Sequence, residues 1–132
     1  MDALMQADIM ALPYKSESLA GLWNLGVMEH FPESSIQTCL KEFHRVLAVG
    51  GVMILFWPSE HNASRWILGP IEWLMSRMRG QSFTFFPDEV SRLRSKDQAA
   101  RYLREAGLEP LRIDFSLRTA FIHVVVVARK PA

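Results

Sequence analysis

The chain has one cysteine, Cys39, in 132 residues, and a lone thiol closes no internal disulfide, which excludes a disulfide-stapled extracellular scaffold. It also has almost no net charge. Fifteen basic residues stand against fourteen acidic ones, a formal balance of +1, so no overall field draws in nucleic acid or an anionic membrane. The longest uninterrupted apolar run, Val52 to Trp57, is far short of the roughly 20 residues that span a bilayer. The start of the chain lacks the basic segment and apolar core of a secretion signal. A cytoplasmic protein with no nucleic-acid partner and no membrane span is expected. Glycine is scarce as well: the seven glycines, at 21, 26, 50, 51, 69, 80 and 107, never take the GxGxxG spacing of a nucleotide-cradling turn.

What is present suits a packed fold. Hydrophobic residues make up 49% and charged residues 22%, an ordinary soluble composition, and residues 1–132 are read as one domain with one core.

Along the chain, residues 8–14 form a short extended segment broken by Pro13, and a polar turn occupies 15–18. Leu19 to Leu25 reads as a buried strand. Ser34 and Gln37 have capping-box spacing, so a helix is expected to start there, with Ile36, Leu40, Phe43 and Leu47 on one face and Gly50-Gly51 ending it. Val52 to Phe56 is short and wholly apolar, as befits a strand covered on both faces. From Pro70 a second helical pattern places Ile71, Leu74, Met75 and Met78 on one stripe. Ser95 and Gln98 repeat the capping-box spacing, and Gly107 is placed to close the helix they open. Leu111, Ile113, Phe115 and Leu117 alternate with polar residues, predicting a half-exposed strand that pairs as a hairpin with the apolar run Phe121 to Ala128. The order predicts an α/β fold: a partial Rossmann-like sheet with parallel inner strands and a C-terminal antiparallel hairpin.

From Ala7 to Pro58 a series of short motifs appears in order: Asp8, Leu12-Pro13-Tyr14, the strand at 19–25, Glu29-His30, and Arg45-Val46-Leu47 leading to Gly50-Gly51. Glu105-Ala106-Gly107-Leu108 and a terminal hairpin follow. In this series the chain resembles the C-terminal portion of a class I S-adenosylmethionine-dependent methyltransferase domain of the methyltransferase type 11 family. The resemblance implies a truncated Rossmann-like methyltransferase sheet, S-adenosylmethionine as cofactor, and methyl transfer to a small acceptor.

It also implies roles. Asp8 would accept a hydrogen bond from the adenine amine and Ile9 would pack on the ring. Without the resemblance, Asp8 reads equally well as a turn cap. Asn24, Leu25 and Gly26 would lie at the carboxyl end of the strand, where open α/β sheets hold ligands. His30 would line the cofactor site with Glu29. In related O-methyltransferases such a pair helps hold a metal, but Gly26 stands where they have a further carboxylate, so no metal site is expected. His61 is a candidate general base, against simple exposure of a lone loop histidine. Trp66, Trp73 and Phe83 to Phe86 form either a lid over a hydrophobic or amphipathic acceptor or plain cover for the sheet. Cys39, inside a helix, reads as a packing residue rather than a nucleophile. The basic cluster Arg77, Arg79, Arg92, Arg94 and Lys96 is interrupted by acids and reads as a solvated face.

The sequence departs from the family pattern in two places. It carries no strand with a glycine-rich turn and no second strand ending in a ribose-binding acid, since only seven residues precede Asp8; and Ala20 replaces an acid common at the start of the strand. In the family's sheet the absent strand lies beside 19–25, so an apolar edge is left to pair with another chain. A homodimer, or a chain completing the sheet, is expected. Two functions remain open: a methyltransferase whose cofactor site is completed by another chain or segment, and a non-catalytic methyltransferase-like binding or dimerisation module.

Overall fold

The two most continuous apolar segments of the sequence become adjacent inner strands. The computed structural model describes residues 4–58, 70, 73–78, 90, 91, 93–114 and 123–132. These form β1 (Leu19–Leu25), a 3-10 turn (Met28–His30), α1 (Glu33–Val46), β2 (Leu47–Pro58), α2 (Lys96–Glu105), β3 (Glu109–Asp114) and β4 (His123–Arg129). Residues 73–78 are helical. The strands make one sheet in the order β1-β2-β4-β3, with β1 and β2 parallel and β4 antiparallel to both of its neighbours. This is the expected α/β arrangement, a parallel pair followed by an antiparallel hairpin. Among the described residues no helix is long and apolar enough to cross a membrane.

Strand alternation separates the two faces. Met53, Leu55 and Trp57 of β2 and Val124, Val126 and Ala128 of β4 are buried. Ile36, Leu40 and Phe43 of α1 and Tyr102 and Leu103 of α2 belong to the same core. The helix stripes therefore cover one face of the sheet. The other carries Trp23 and Ile54, partners in register, which are 70% and 36% exposed, and Leu25, 54% exposed. Among the described residues nothing pairs with the outer edge of β1. An apolar face and an unpaired edge thus meet at β1.

The helix ends differ from the simple reading of their caps. Pro32, not Ser34, caps α1, and its carbonyl accepts from the amides of Ser35 (2.9 Å) and Ile36 (3.1 Å). The Gln37 amide is drawn instead to Glu105 Oε2 (2.9 Å) on α2. Ser95 does cap α2, accepting from the Gln98 amide at 3.1 Å. Gln98 Oε1 returns to the amide of Arg94 (2.9 Å), one residue earlier than a capping box requires. Gly107, at φ 80°, closes α2 in a Schellman turn: its amide donates to Arg104 and that of Leu108 to Leu103.

Three further expectations are corrected. Gly50 and Gly51 lie within β2, because α1 stops at Val46 and the strand begins at once. Leu19 pairs with Leu47 but Gly21 pairs with Val52, so residues 48–51 bulge out of the ladder. In β3 a register shift between Pro110 and Arg112 turns Leu111 outward while Ile113 packs on the core, which breaks the simple alternation. Leu19–Leu25, expected as a buried strand, alternates instead: Trp23 and Leu25 are exposed while Leu22 and Asn24 are half-buried. In the helical stretch 73–78, Leu74 and Met78 are exposed. Ile71, Arg79, Arg92, Phe115, Leu117 and Phe121 lie outside the described residues or their side chains do.

Candidate functional site

The carboxyl ends of β1 and β2 meet at Gly26, whose amide donates to the Phe56 carbonyl at 3.3 Å. Gly26 has φ 68°, a left-handed conformation that a β-carbon disfavours. This turn folds the chain straight into the 3-10 turn at 28–30. There Met28 enters the core and Glu29 is only 5% exposed. The Glu29 carbonyl accepts from the amides of Val90 (2.7 Å) and Ser91 (3.0 Å), and Ser91 Oγ donates to the Met28 carbonyl (3.1 Å). The corner is therefore tied to chain more than sixty residues away.

Asn24 and Leu25 end β1, Gly26 follows them, and His30 closes the 3-10 turn of this corner. Asn24 is half-buried and Leu25 exposed. His30 is exposed, with Nε2 at 3.9 Å from Glu29 Oε1, too far for a hydrogen bond. Asp8 and Ile9 stand apart: among the described residues no hydrogen bond or ion pair joins Asp8 to residues 24–30. Asp8 Oδ1 accepts from the Met10 amide at 2.9 Å and the Asp8 carbonyl from the Ala11 amide at 3.1 Å, a turn cap on an exposed side chain. Ile9 packs against the core. Among the described residues no three His, Cys, Asp or Glu side chains gather in a metal-binding group. Cys39 is fully buried, and burial, with the charge of Asp8, pushes its thiol up, away from the thiolate form that a nucleophile needs. His61, Trp66 and Phe83 to Phe86 lie outside the described residues. Trp73 is 65% exposed, with the Arg77 guanidinium 5.7 Å from its ring centre, so it does not cover the sheet core.

The motif reading did not reveal what holds residues 8–16. Glu42 Oε1 accepts from the Leu12 amide at 2.7 Å. Arg45 forks onto Glu42 through Nε (2.8 Å) and Nη2 (2.7 Å), and it donates to the carbonyls of Leu12 (3.1 Å) and Tyr14 (2.9 Å). The hydrogen bond from Arg45 holds the Glu42 carboxyl below the usual carboxylate range. The three-residue spacing of an acid and a base on α1 was the available signal. Arg45→Ala should release the Leu12 amide, raising its hydrogen-exchange rate by about tenfold or more while amides in the middle of α1 stay protected. Unchanged exchange at Leu12 would show that the clamp is not what orders this segment.

A sheet in the order β1-β2-β4-β3, with the site corner beyond its parallel strands, defines a methyltransferase-like fold of truncated Rossmann-like type. The chain resembles the C-terminal portion of a class I S-adenosylmethionine-dependent methyltransferase, and residues 2–55 match the family model described as a methyltransferase domain. Among solved structures, a SAM-dependent methyltransferase from Methanosarcina mazei superposes with a TM-score of 0.63 at 15% identity, over 95% of this chain and 65% of that one. The 1,6-didemethyltoxoflavin-N1-methyltransferase of Burkholderia thailandensis, with 1,6-didemethyltoxoflavin and S-adenosylhomocysteine bound, gives 0.60 at 18% identity, over 96% and 49%. The [4+2]-cyclase SpnF gives 0.61 at 19% identity, over 96% and 54%. The chain thus spans less than two thirds of the length of each. No curated protein sequence matches it. The same fold serves a methyltransferase and a cyclase, so the chemistry must be argued from the site.

Proposed function

We propose that the chain supplies one flank of an S-adenosylmethionine-dependent methyl-transfer site, completed when another chain or segment brings a glycine-rich strand-turn-helix against β1. The observation that carries this reading is the edge of β1, unpaired among the described residues, running directly into the corner at 24–30. The residues present fit part of the cofactor. Asp8 keeps an exposed carboxylate able to accept from an adenine amine, with Ile9 beside it. Asn24, Leu25, Gly26 and His30 bound the end of the sheet where the methionine portion would lie. The glycine-rich approach is not in the sequence. The cofactor would supply an electrophilic methyl group, and this chain's part is to hold the acceptor in line with it, which is the larger share of such a rate enhancement. A hydrophobic or amphipathic acceptor suits the exposed Trp73, and His61 remains the candidate base.

The second reading is a non-catalytic methyltransferase-like module that associates through β1, most simply as a twofold homodimer. The missing glycine-rich turn favours it for the chain alone. Titration of S-adenosylhomocysteine by calorimetry separates the two. Micromolar binding by an associated form supports the enzyme reading; no heat at a concentration where the chain is dimeric supports the module. Sedimentation as a monomer throughout the micromolar range would remove self-association from both.

A further inference from the structure

Among the described residues, three polar atoms are buried without a partner near the carboxyl ends of β1 and β2: Asn24 Oδ1, Glu29 Oε2 and Trp57 Nε1. Two of their side chains lie on one face. Asn24 is level with Leu55 in the ladder, and Trp57 stands two residues beyond Leu55 on the same, covered side. From the strand spacing and rise, the Asn24 and Trp57 backbones are about 8 Å apart. The indole of Trp57 is fixed against Tyr102, ring centres 6.2 Å apart. Glu29 lies in the 3-10 turn that follows β1. A β-carbon on Gly26 would lie 3.5 Å from Glu29 Oε1, so the carboxylate folds back over the end of β1.

Buried polar groups are normally satisfied, and each exception calls for an explanation. Here the exceptions are unlike one another, and all belong to residues at or just beyond the carboxyl ends of β1 and β2. Glu29 is the most demanding of them, since among the described residues the only basic side chain within 4 Å of it is His30, at 3.9 Å. Two of the unpartnered atoms are acceptors, one of them a carboxylate oxygen, and the third is an N–H donor.

We propose that Asn24, Glu29 and Trp57 form a subsite for the ammonium group of a small amine that carries a neighbouring oxygen acceptor. Glu29 Oε2 and Asn24 Oδ1 accept from the ammonium, and the Trp57 N–H donates to the oxygen. This rests on residues 24–57 alone and holds whether or not the chain transfers methyl groups. The ammonium chemistry has two sources, the amino-acid end of the cofactor or a separate amine.

The test uses the full chain, with the Trp57 indole N–H followed by NMR and assigned through Trp57→Phe. Glycinamide, which pairs an ammonium with a carbonyl oxygen, should shift that resonance saturably, and acetamide, which lacks the cation, should do so far less. Glu29→Gln should weaken glycinamide binding by about tenfold, the scale of a charge-assisted hydrogen bond. Should that variant lose its dispersed spectrum, Asn24→Leu provides the same comparison by removing the second acceptor. S-adenosylhomocysteine moving the Trp57 resonance in competition with glycinamide identifies the cofactor as the source; glycinamide alone identifies a separate amine and stands even where cofactor binding fails. No saturable shift at tens of millimolar, or equal binding of acetamide, overturns the subsite.

Discussion

Gly51→Ala should cost roughly 2–3 kcal/mol of folding stability in urea denaturation followed by circular dichroism, at the upper end of what overpacking usually costs. A β-carbon there would sit 2.8 Å from the Ala48 carbonyl oxygen and 3.1 Å from those of Ala20 and Leu19. All three are backbone atoms, so no side chain can rotate away. Relief requires moving the bulge at 48–51 or the start of β1, and that junction sets which residues of β1 meet β2. The neighbouring glycine is the control. Gly50 has φ 79°, and a β-carbon added there would meet nothing within 4 Å, so Gly50→Ala bears only the left-handed backbone penalty of about 1–2 kcal/mol. Equal losses for the two variants would mean that the bulge yields to a methyl group and does not fix the register.

That contrast also marks how far the sequence could be read. The Gly50-Gly51 pair looked like a helix terminator because glycine after an amphipathic run usually is one. It serves a strand junction here because α1 ends at Val46 and Leu47 is already paired with Leu19. Tertiary pairing overrode a local signal. The apolar runs were legible as strands, but the cover expected on both faces of Val52 to Phe56 is found on one: Ile54 is 36% exposed on the open side. Gly107 was legible because its turn is wholly local. Ser34 misled since Pro32 already offered its carbonyl to the first helical amides, leaving no work for the serine hydroxyl. At the candidate site the sequence placed Asn24, Leu25 and Gly26 at the carboxyl end of a strand, and β1 does end at Leu25, a backbone property. The burial of Glu29 and the unpartnered indole of Trp57 depend on packing between β2, α2 and the turn, which no spacing records. The Arg45 clamp on residues 12–14 is likewise a contact across some thirty residues, and only its Glu42 partner was visible in the helix repeat.

Adjacent residues of β2 should respond oppositely to truncation, because they face a covered and an open side of the same sheet. Leu55 is fully buried beneath the helices, so Leu55→Ala should cost about 2–5 kcal/mol through lost burial and the cavity left behind. Ile54, 36% exposed, loses only partial burial and leaves no enclosed cavity, and Ile54→Ala should cost less, about 1–2 kcal/mol at low concentration. The ranking reverses for association. Ile54 is level with Trp23 on the open face, so a lysine at either position places a charge in any layer that packs there, and burying an unpaired charge is costly. In a twofold assembly each substitution enters twice. Ile54→Lys and Trp23→Lys should therefore shift sedimentation toward the monomer while leaving the circular-dichroism spectrum intact, whereas Leu55→Ala should lower stability first. If Ile54→Lys sediments like the parent chain at every micromolar concentration, the open face takes no part in self-association, and any partner must engage the edge of β1 alone.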